Sequence, residues 1–446
     1  MPFEHYVSRS AQASFLLLAV LALVFPVIGG SVKAALLVYC IVAVLLLEAL
    51  GQRSHVCLHR RTFVFFGSLL CLNGFFVIWG MWNGAPIEGS REAVNVYLFF
   101  PVVYLFLASV TPSIISPKAL VKVLLLVSFL VAFLTIAQSA RVFSLGILPG
   151  YSLLYYIYPG LDQDYMNIGF TGLDGYLPRA TERLAFLAPF AVALLAAGRK
   201  LELSNKLVWM NFLLVLLAVI LTGRRVFLLI FVLSILVLLV SRAMAARRQV
   251  VQAFVAVGVI GLLALGIHQL IGDGSSDTAS RVDAISSNVA NDLGNLSFSV
   301  RQDQVRHVLA EADRNPILGV GFGNKLPGHV RDPEHPWRFE LTYVALLFQA
   351  GALGLCLYAA VALQLLMLAR EALSVDRNAI LPFVVGMAGG LMAAATNPYL
   401  NYGSGQWILF LPVILFNAVL VRSRLRQSAP VPESRAGAAY GGEGAR

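Results

Sequence analysis

Six side chains stand out because their chemistry fits positions where neither topology nor packing calls for a charge. Arg224 and Arg225 sit together in Thr222-Gly223-Arg224-Arg225, a break so short that it interrupts one apolar stretch without separating it into distant parts. Arginine stays charged at all working pH values and presents a planar fork that grips phosphate oxygens in pairs. Two such groups at the start of a helix make an anion site at the membrane interface; snorkelling to lipid phosphates is the alternative use. Arg183 opens another apolar run, where a cation opposes the helix macrodipole and so favours a bound anion. Arg301 opens an amphipathic segment. Glu340 and His335 are the proton acceptors nearest to these cations in the pattern: Glu340 at the head of an apolar helix, His335 within Glu334-His335-Pro336. A histidine with an unperturbed pKa near 6.5 suits general-base work, and a positioned carboxylate does as well. Cations for a departing phosphate and a base for an attacking hydroxyl are the parts of a group transfer.

The elements that hold these groups are membrane helices. Of 446 residues, 59% are apolar and 13% charged, against about 25% charged in an ordinary soluble protein. That composition excludes a soluble enzyme, a nucleic-acid reader and a disordered chain. Apolar segments long enough to cross a bilayer fall at about 14–30, 32–50, 62–81, 93–111, 117–138, 183–198, 206–222, 225–241, 250–271, 340–369, 378–396 and 406–421. The expected fold is therefore an all-α polytopic membrane protein of about twelve transmembrane helices, with a large outward loop that contains short helices. The first apolar run lacks a small-residue cleavage pattern and reads as a retained helix. The four cysteines imply no disulfide framework.

Orientation follows from Lys and Arg in the connections. With the N-terminus inside, 19 of the 33 basic residues fall on cytoplasmic segments. The short outer loops keep Lys33, Arg91, Arg224 and Arg225, and both termini are expected in the cytoplasm. The net charge of +10 is thus a signature of orientation and not of nucleic-acid binding. The chain divides into N-terminal membrane helices (1–138), an aromatic and Gly-rich outer loop (139–182), central membrane helices with the arginine hairpin (183–271), a large outer loop (272–338), C-terminal membrane helices (339–426) and a tail expected to be disordered (427–446).

Within the large outer loop, Val305, Val308, Leu309 and Ala312 share a face, which predicts a helix over about 299–313 that stops at Asn315-Pro316. The following Ile317-Leu318-Gly319-Val320-Gly321-Phe322-Gly323-Asn324 lacks the Gly-Lys-Ser/Thr ending of a phosphate-binding P-loop. His329, Glu334 and His335 have no metal-ligand spacing of a known kind, so no metal is expected. The tyrosines of 151–176 form either an aromatic belt or a stacking surface for sugars.

The order of these features resembles the O-antigen ligase/polymerase superfamily, bacterial inner-membrane enzymes that move glycans off undecaprenyl diphosphate. Thr222-Gly223-Arg224-Arg225 is similar to the family's Ser/Thr-Gly-Ser-Arg turn. Arg281 and the run Ser297 to Arg301 lead into the amphipathic helix. Asn315-Pro316-Ile317-Leu318-Gly319-Val320-Gly321 is similar to its Pro-hydrophobic-Gly-x-Gly. Gln349-Ala350-Gly351-Ala352-Leu353-Gly354 is similar to its Glu-x-Gly-x-x-Gly. In the ligases a His-Asn pair opens the helix that bears the last motif; Glu340-Leu341 holds that place here, with His335 five residues earlier and Gln349 in place of the acid. A glutamate there is familiar among related polymerases.

The resemblance implies a lipid-linked glycan donor and, as acceptor, lipid A–core for a ligase or another lipid-linked repeat unit for a polymerase. It implies a site at the periplasmic face of the inner membrane and no nucleotide, metal or other cofactor. Arg183, Arg224, Arg225 and Arg301 would hold the diphosphate, and Glu340 or His335 would act as base. A transporter or lipid-linked glycan flippase is the competing class, although mid-membrane ionisable residues and paired broken helices are not evident.

Overall fold

The computed structural model describes residues 3–25, 30–49, 57–142, 165–167, 176–222, 224–240, 297–330 and 333–428. It is an all-α polytopic membrane protein: among the described residues, eight helices have the length and apolarity to cross a bilayer, and three shorter apolar helices accompany them. The helices are α1 (Phe3–Val24), α2 (Gly30–Ala49), α3 (Arg60–Trp82), α4 (Ile87–Val94), α5 (Phe100–Ile114), α6 (Pro117–Val142), α7 (Leu184–Ala197), α8 (Asn205–Leu221), α9 (Arg225–Val240), α10 (Ser297–Arg314), α11 (Thr342–Val375), α12 (Arg377–Ala393) and α13 (Trp407–Ser428). Eleven of the expected spans coincide with these helices; the twelfth, 250–271, lies outside the described residues, as do Arg281 and the tail from 429. Two short antiparallel strands, β1 (Tyr165–Asn167) and β2 (Tyr176–Pro178), lie in the segment read as an outer loop.

Helix α7 forms the middle of the bundle. Its sequence is apolar on every side, and a helix with no polar face must be surrounded; all of Leu184–Leu195 and Ala197 are buried. Helix α12 approaches it closely through small residues. Any Cβ at Gly386 would press on Phe186, and one at Gly389 would overlap Pro189. Close backbone approach replaces the hydrophobic drive that lipid cannot supply between helices. The large apolar side chains on the outside, such as Leu45, Phe63, Ile78, Leu229 and Leu366, face lipid.

Two prolines in α5 are tolerated for a reason the sequence does not disclose. Pro101 and Pro112 cannot donate to the carbonyls four residues back, Tyr97 and Ala108. Asn73 Nδ2 of α3 donates to the Tyr97 carbonyl at 2.7 Å, and Asn417 Nδ2 of α13 donates to the Ala108 carbonyl at 2.8 Å. A five-residue π turn, Asn95–Phe99, carries α4 into α5 ahead of Pro101. The span expected at 93–111 is therefore longer, running from Ile87 to Ile114.

Side-chain contacts tie connections together at two ends of the bundle. At the end assigned outward, Asn83 Nδ2 donates to the Val320 carbonyl at 3.3 Å, and Trp337 Nε1 to Glu92 at 2.7 Å. At the opposite end, Arg61 pairs with Glu371 at 3.2 Å, Lys118 with Glu202 at 2.6 Å, and Arg422 Nε donates to the Pro112 carbonyl at 2.9 Å.

The Gly-x-Gly loop and the Gly-x-x-Gly helix are two halves of one structure. Helix α11 breaks at Gly351 (φ 62°, ψ −171°), a conformation open essentially to glycine alone. The loop enters the break and takes up the freed groups: Val320 N–H donates to Phe348 O at 3.0 Å and Gly321 N–H to Gln349 O at 2.8 Å. Beyond the break, Ala352 N–H donates to Pro316 O at 2.9 Å and Leu353 N–H to Ile317 O at 3.0 Å. Irregular backbone at membrane depth persists where neighbouring protein satisfies it. A Cβ at Gly319 would lie 2.7 Å from Gly351 N, and Gly321 has the same closeness to α3 at Trp79. The glycines thus admit backbone to backbone.

Candidate functional site

Arg183 ends a 3-10 turn, Arg179–Arg183, and caps α7. Because α7 is central, the guanidinium at its head is 1% exposed. Burial of a cation demands compensation. Glu182 Oε2 lies 4.0 Å from Nη1, and the guanidinium stands over the Trp407 ring at 5.6 Å. Thr181 and Thr135 share a hydroxyl–hydroxyl hydrogen bond of 3.2 Å that ties the turn to α6.

Arg224 lies in the tight connection between α8 and α9, as the hairpin reading expected. Its backbone N–H donates to Thr222 Oγ1 at 3.2 Å, and its Nη1 donates to the Tyr399 hydroxyl at 3.1 Å. Arg225 is the first residue of α9. Burial pushes the Tyr399 phenol up to about 12, opposed by Arg224 and reinforced by Glu182. The phenol is consequently neutral, and its oxygen is fixed by a guanidinium. Arg183, Arg224, Glu182 and Tyr399 therefore share one electrostatic neighbourhood, although they come from three separate stretches of chain.

Arg301 and Glu340 form the second part. Arg301 Nε donates to Glu340 Oε2 at 3.0 Å, and burial draws the Arg301 pKa below its ordinary value. One turn further along α10, the buried Gln304 accepts the Glu340 N–H at 3.2 Å. Glu340 does not open the helix as expected. Leu341 is the cap and Thr342 the first helical residue, so Glu340 stands two residues ahead, and its partner is the Arg301 guanidinium in place of a helix dipole. His335 packs edge-on against Trp337 at 5.8 Å, and its Nδ1 is buried with no hydrogen-bond partner among the described residues.

The turn between α12 and α13 binds both parts. Tyr399 holds Arg224, while Asn401, two residues on in the same 3-10 turn, donates to the Phe339 carbonyl at 3.3 Å and accepts from the Tyr97 hydroxyl at 3.4 Å. Beside it a pocket is lined by Glu92, Tyr97, Trp337, Arg338, Gln349 and Asn401, with Gly89 and Gly323 at its wall. Glu92 accepts from Trp337 Nε1 and Arg338 Nε, both at 2.7 Å. Sequence reasoning missed Tyr399, Asn401 and Glu92. Each lies in an unremarkable apolar or mixed context, and its partners are 62 to 304 residues away, so no local pattern signals it.

Fold and site together define a multi-pass membrane protein that gathers arginines, a neutral phenol and a paired carboxylate at one end of its bundle. Residues 210–359 match the family model described as O-antigen ligase. That segment, about a third of the chain, contains the arginine hairpin, α10, Glu340 and the break in α11, and over it the chain is similar to the O-antigen ligase family. Arg183 and Tyr399 lie outside the matched residues. No curated protein matches the chain.

Proposed function

We propose that the chain is an inner-membrane glycosyltransferase of O-antigen ligase type, moving an undecaprenyl-diphosphate-linked glycan to a hydroxyl of lipid A–core at the periplasmic face. The observation that carries this reading is the turn 399–401, which holds Arg224 by one residue and the segment before Glu340 by another. In the reaction the acceptor hydroxyl loses its proton to a base and its oxygen attacks the anomeric carbon. The bond from that carbon to the diphosphate oxygen breaks, and the diphosphate leaves with its electron pair. Arg183 and Arg224, with Arg225 beside them on the chain, supply fixed charge where the leaving group gains it. Arg301 is the fourth arginine of the proposed diphosphate site.

Glu340 is the base in this reading. It is 7% exposed and presents one carboxylate oxygen to Arg301, and a carboxylate has further lone pairs to receive a proton. His335 is the alternative base. A second reading, a polymerase joining lipid-linked repeat units, is favoured by the place of Glu340, with its carboxylate on Arg301, where the ligases carry histidine.

A surface-polysaccharide gel of a deletion strain tests both. Bare core with accumulated lipid-linked chains supports the ligase, and single repeat units on the core support the polymerase. An unaltered pattern rejects transfer and favours a transporter or flippase.

A further inference from the structure

Helix α10 presents two functional faces. Arg301, Gln304 and Val308 turn toward Glu340 and the head of α11, while Asp303 and His307, four residues apart, turn toward the loop that carries His329. One ligating atom from each of Asp303, His307 and His329 lies within 4.8 Å of the others. His329 Nδ1 is 2.8 Å from Asp303 Oδ2, and His307 Nδ1 is 3.3 Å from Asp303 Oδ1. In a tetrahedral shell with metal–ligand bonds of about 2.0–2.1 Å, neighbouring donor atoms lie about 3.3 Å apart; the His307–Asp303 separation equals that edge, and the His329–Asp303 separation is shorter, at hydrogen-bond length.

Hydrogen bonds to Asp303 account for the Nδ1 of each histidine. His329 is 8% exposed, and while one ring nitrogen meets Asp303, its Nε2 is buried with no hydrogen-bond partner among the described residues. His307 Nδ1 lies 2.9 Å from the Asp303 backbone carbonyl oxygen as well as 3.3 Å from its carboxylate, so the ring turns Nδ1 toward Asp303 and Nε2 away from it. That Nε2 faces Gly328, whose φ is 75° and where any Cβ would come within 2.8 Å of it. The loop therefore brings bare backbone up to one imidazole and places the next residue, His329, beside it.

We propose that Asp303, His307 and His329 form a divalent-cation site of the zinc class that fastens α10 to the loop 326–330. Two imidazoles and one carboxylate suit a borderline metal with nitrogen and oxygen ligands, and they do not suit magnesium or calcium, which take oxygen shells. The position is structural: it lies on a face of α10 other than the one that bears Arg301. The sequence reading paired His329 with Glu334 and His335, and folding pairs it instead with residues more than twenty positions earlier.

The test uses the full-length protein in detergent, with any affinity tag free of histidine. The protein is stripped with a chelator, dialysed against Zn²⁺ in excess Mg²⁺ and desalted, and its zinc is measured by plasma mass spectrometry. The expected result is one zinc per wild-type chain, lost in His307→Ala and in His329→Ala and kept in His335→Ala. Co²⁺ loading should give the visible absorption of a tetrahedral nitrogen–oxygen site, absent in the same two variants. Should His329→Ala not elute as a folded species, Asp303→Asn, altering an exposed group, takes its place. Wild-type protein that retains no zinc, or folded variants that retain it in full, overturn the proposal. Because the readout is metal content, the result is independent of whether the chain transfers glycans.

Discussion

The loop 316–323 and the turn 399–402 both dock on the same end of the bundle, but with different atoms. The loop docks on α11 by backbone: its N–H and C=O groups replace the helical bonds that α11 loses at Gly351, and Gly319 and Gly321 carry no Cβ to hold the backbones apart. The turn docks by side chains: Tyr399 to Arg224, Asn401 to the Phe339 carbonyl, and Tyr402 beneath the Arg338 guanidinium at 5.1 Å. A backbone joint has one geometry and admits no substitution. A side-chain joint can be altered one group at a time while the fold persists. The first kind of joint sets the frame, and in the proposed reaction the second carries the chemistry.

Variants can break that contrast in a graded way. Gly351→Val should have the largest effect, because it forces a β-branched residue into a glycine conformation that costs about 1–3 kcal/mol in strain alone and drives Cβ into the Ile317 carbonyl. The expected outcome is loss of the monodisperse peak in fluorescence-detected size exclusion. A normal peak would show that the loop yields. Arg224→Ala should leave that peak intact and reduce glycan transfer by about 10²–10³, the cost of removing one donor to a developing anion. Full transfer in both Arg224→Ala and Arg225→Ala would remove the diphosphate clamp from the mechanism.

Glu340→Gln keeps the shape and removes the basic oxygen, with an expected loss toward the lower end of the 10²–10⁴ range of general-base catalysis, about 10². Near wild-type turnover would hand the role to His335. Tyr399→Phe deletes one hydrogen bond to a charged group, worth about 1.5–3 kcal/mol when buried, and should slow transfer about tenfold with unchanged expression. Lys118→Ala, at the opposite end, removes an exposed ion pair with Glu202 and should leave both transfer and thermal midpoint unmoved. A large effect there would mean that the two ends are coupled.

Much of the frame was legible because its causes are local. Apolar runs interrupted by Arg, Lys and Gly become helices and turns wherever the solvent is lipid, and α10 with its stop at Asn315-Pro316 follows from periodicity and a proline. The break at Gly351 was not legible, since nothing in the stretch from Gln349 to Gly354 distinguishes a helix glycine from one that opens to receive a loop. For the same reason Glu340 was read as a helix opener: the pattern marks the end of polarity, while the helix begins where backbone torsion turns, at Thr342.

The site divides along the same line. Composition and spacing alone determined that arginines stand at the heads of α7 and α9 and that a carboxylate precedes α11, because a charge at the end of an apolar run is visible in one dimension. Tertiary structure decided which of these groups meet. It sank Arg183 by surrounding α7, gave Arg224 the Tyr399 oxygen, and set Arg301 on Glu340. The physical reason is that burial and pairing are properties of neighbours brought together across the bundle by packing, and no run of consecutive residues encodes them.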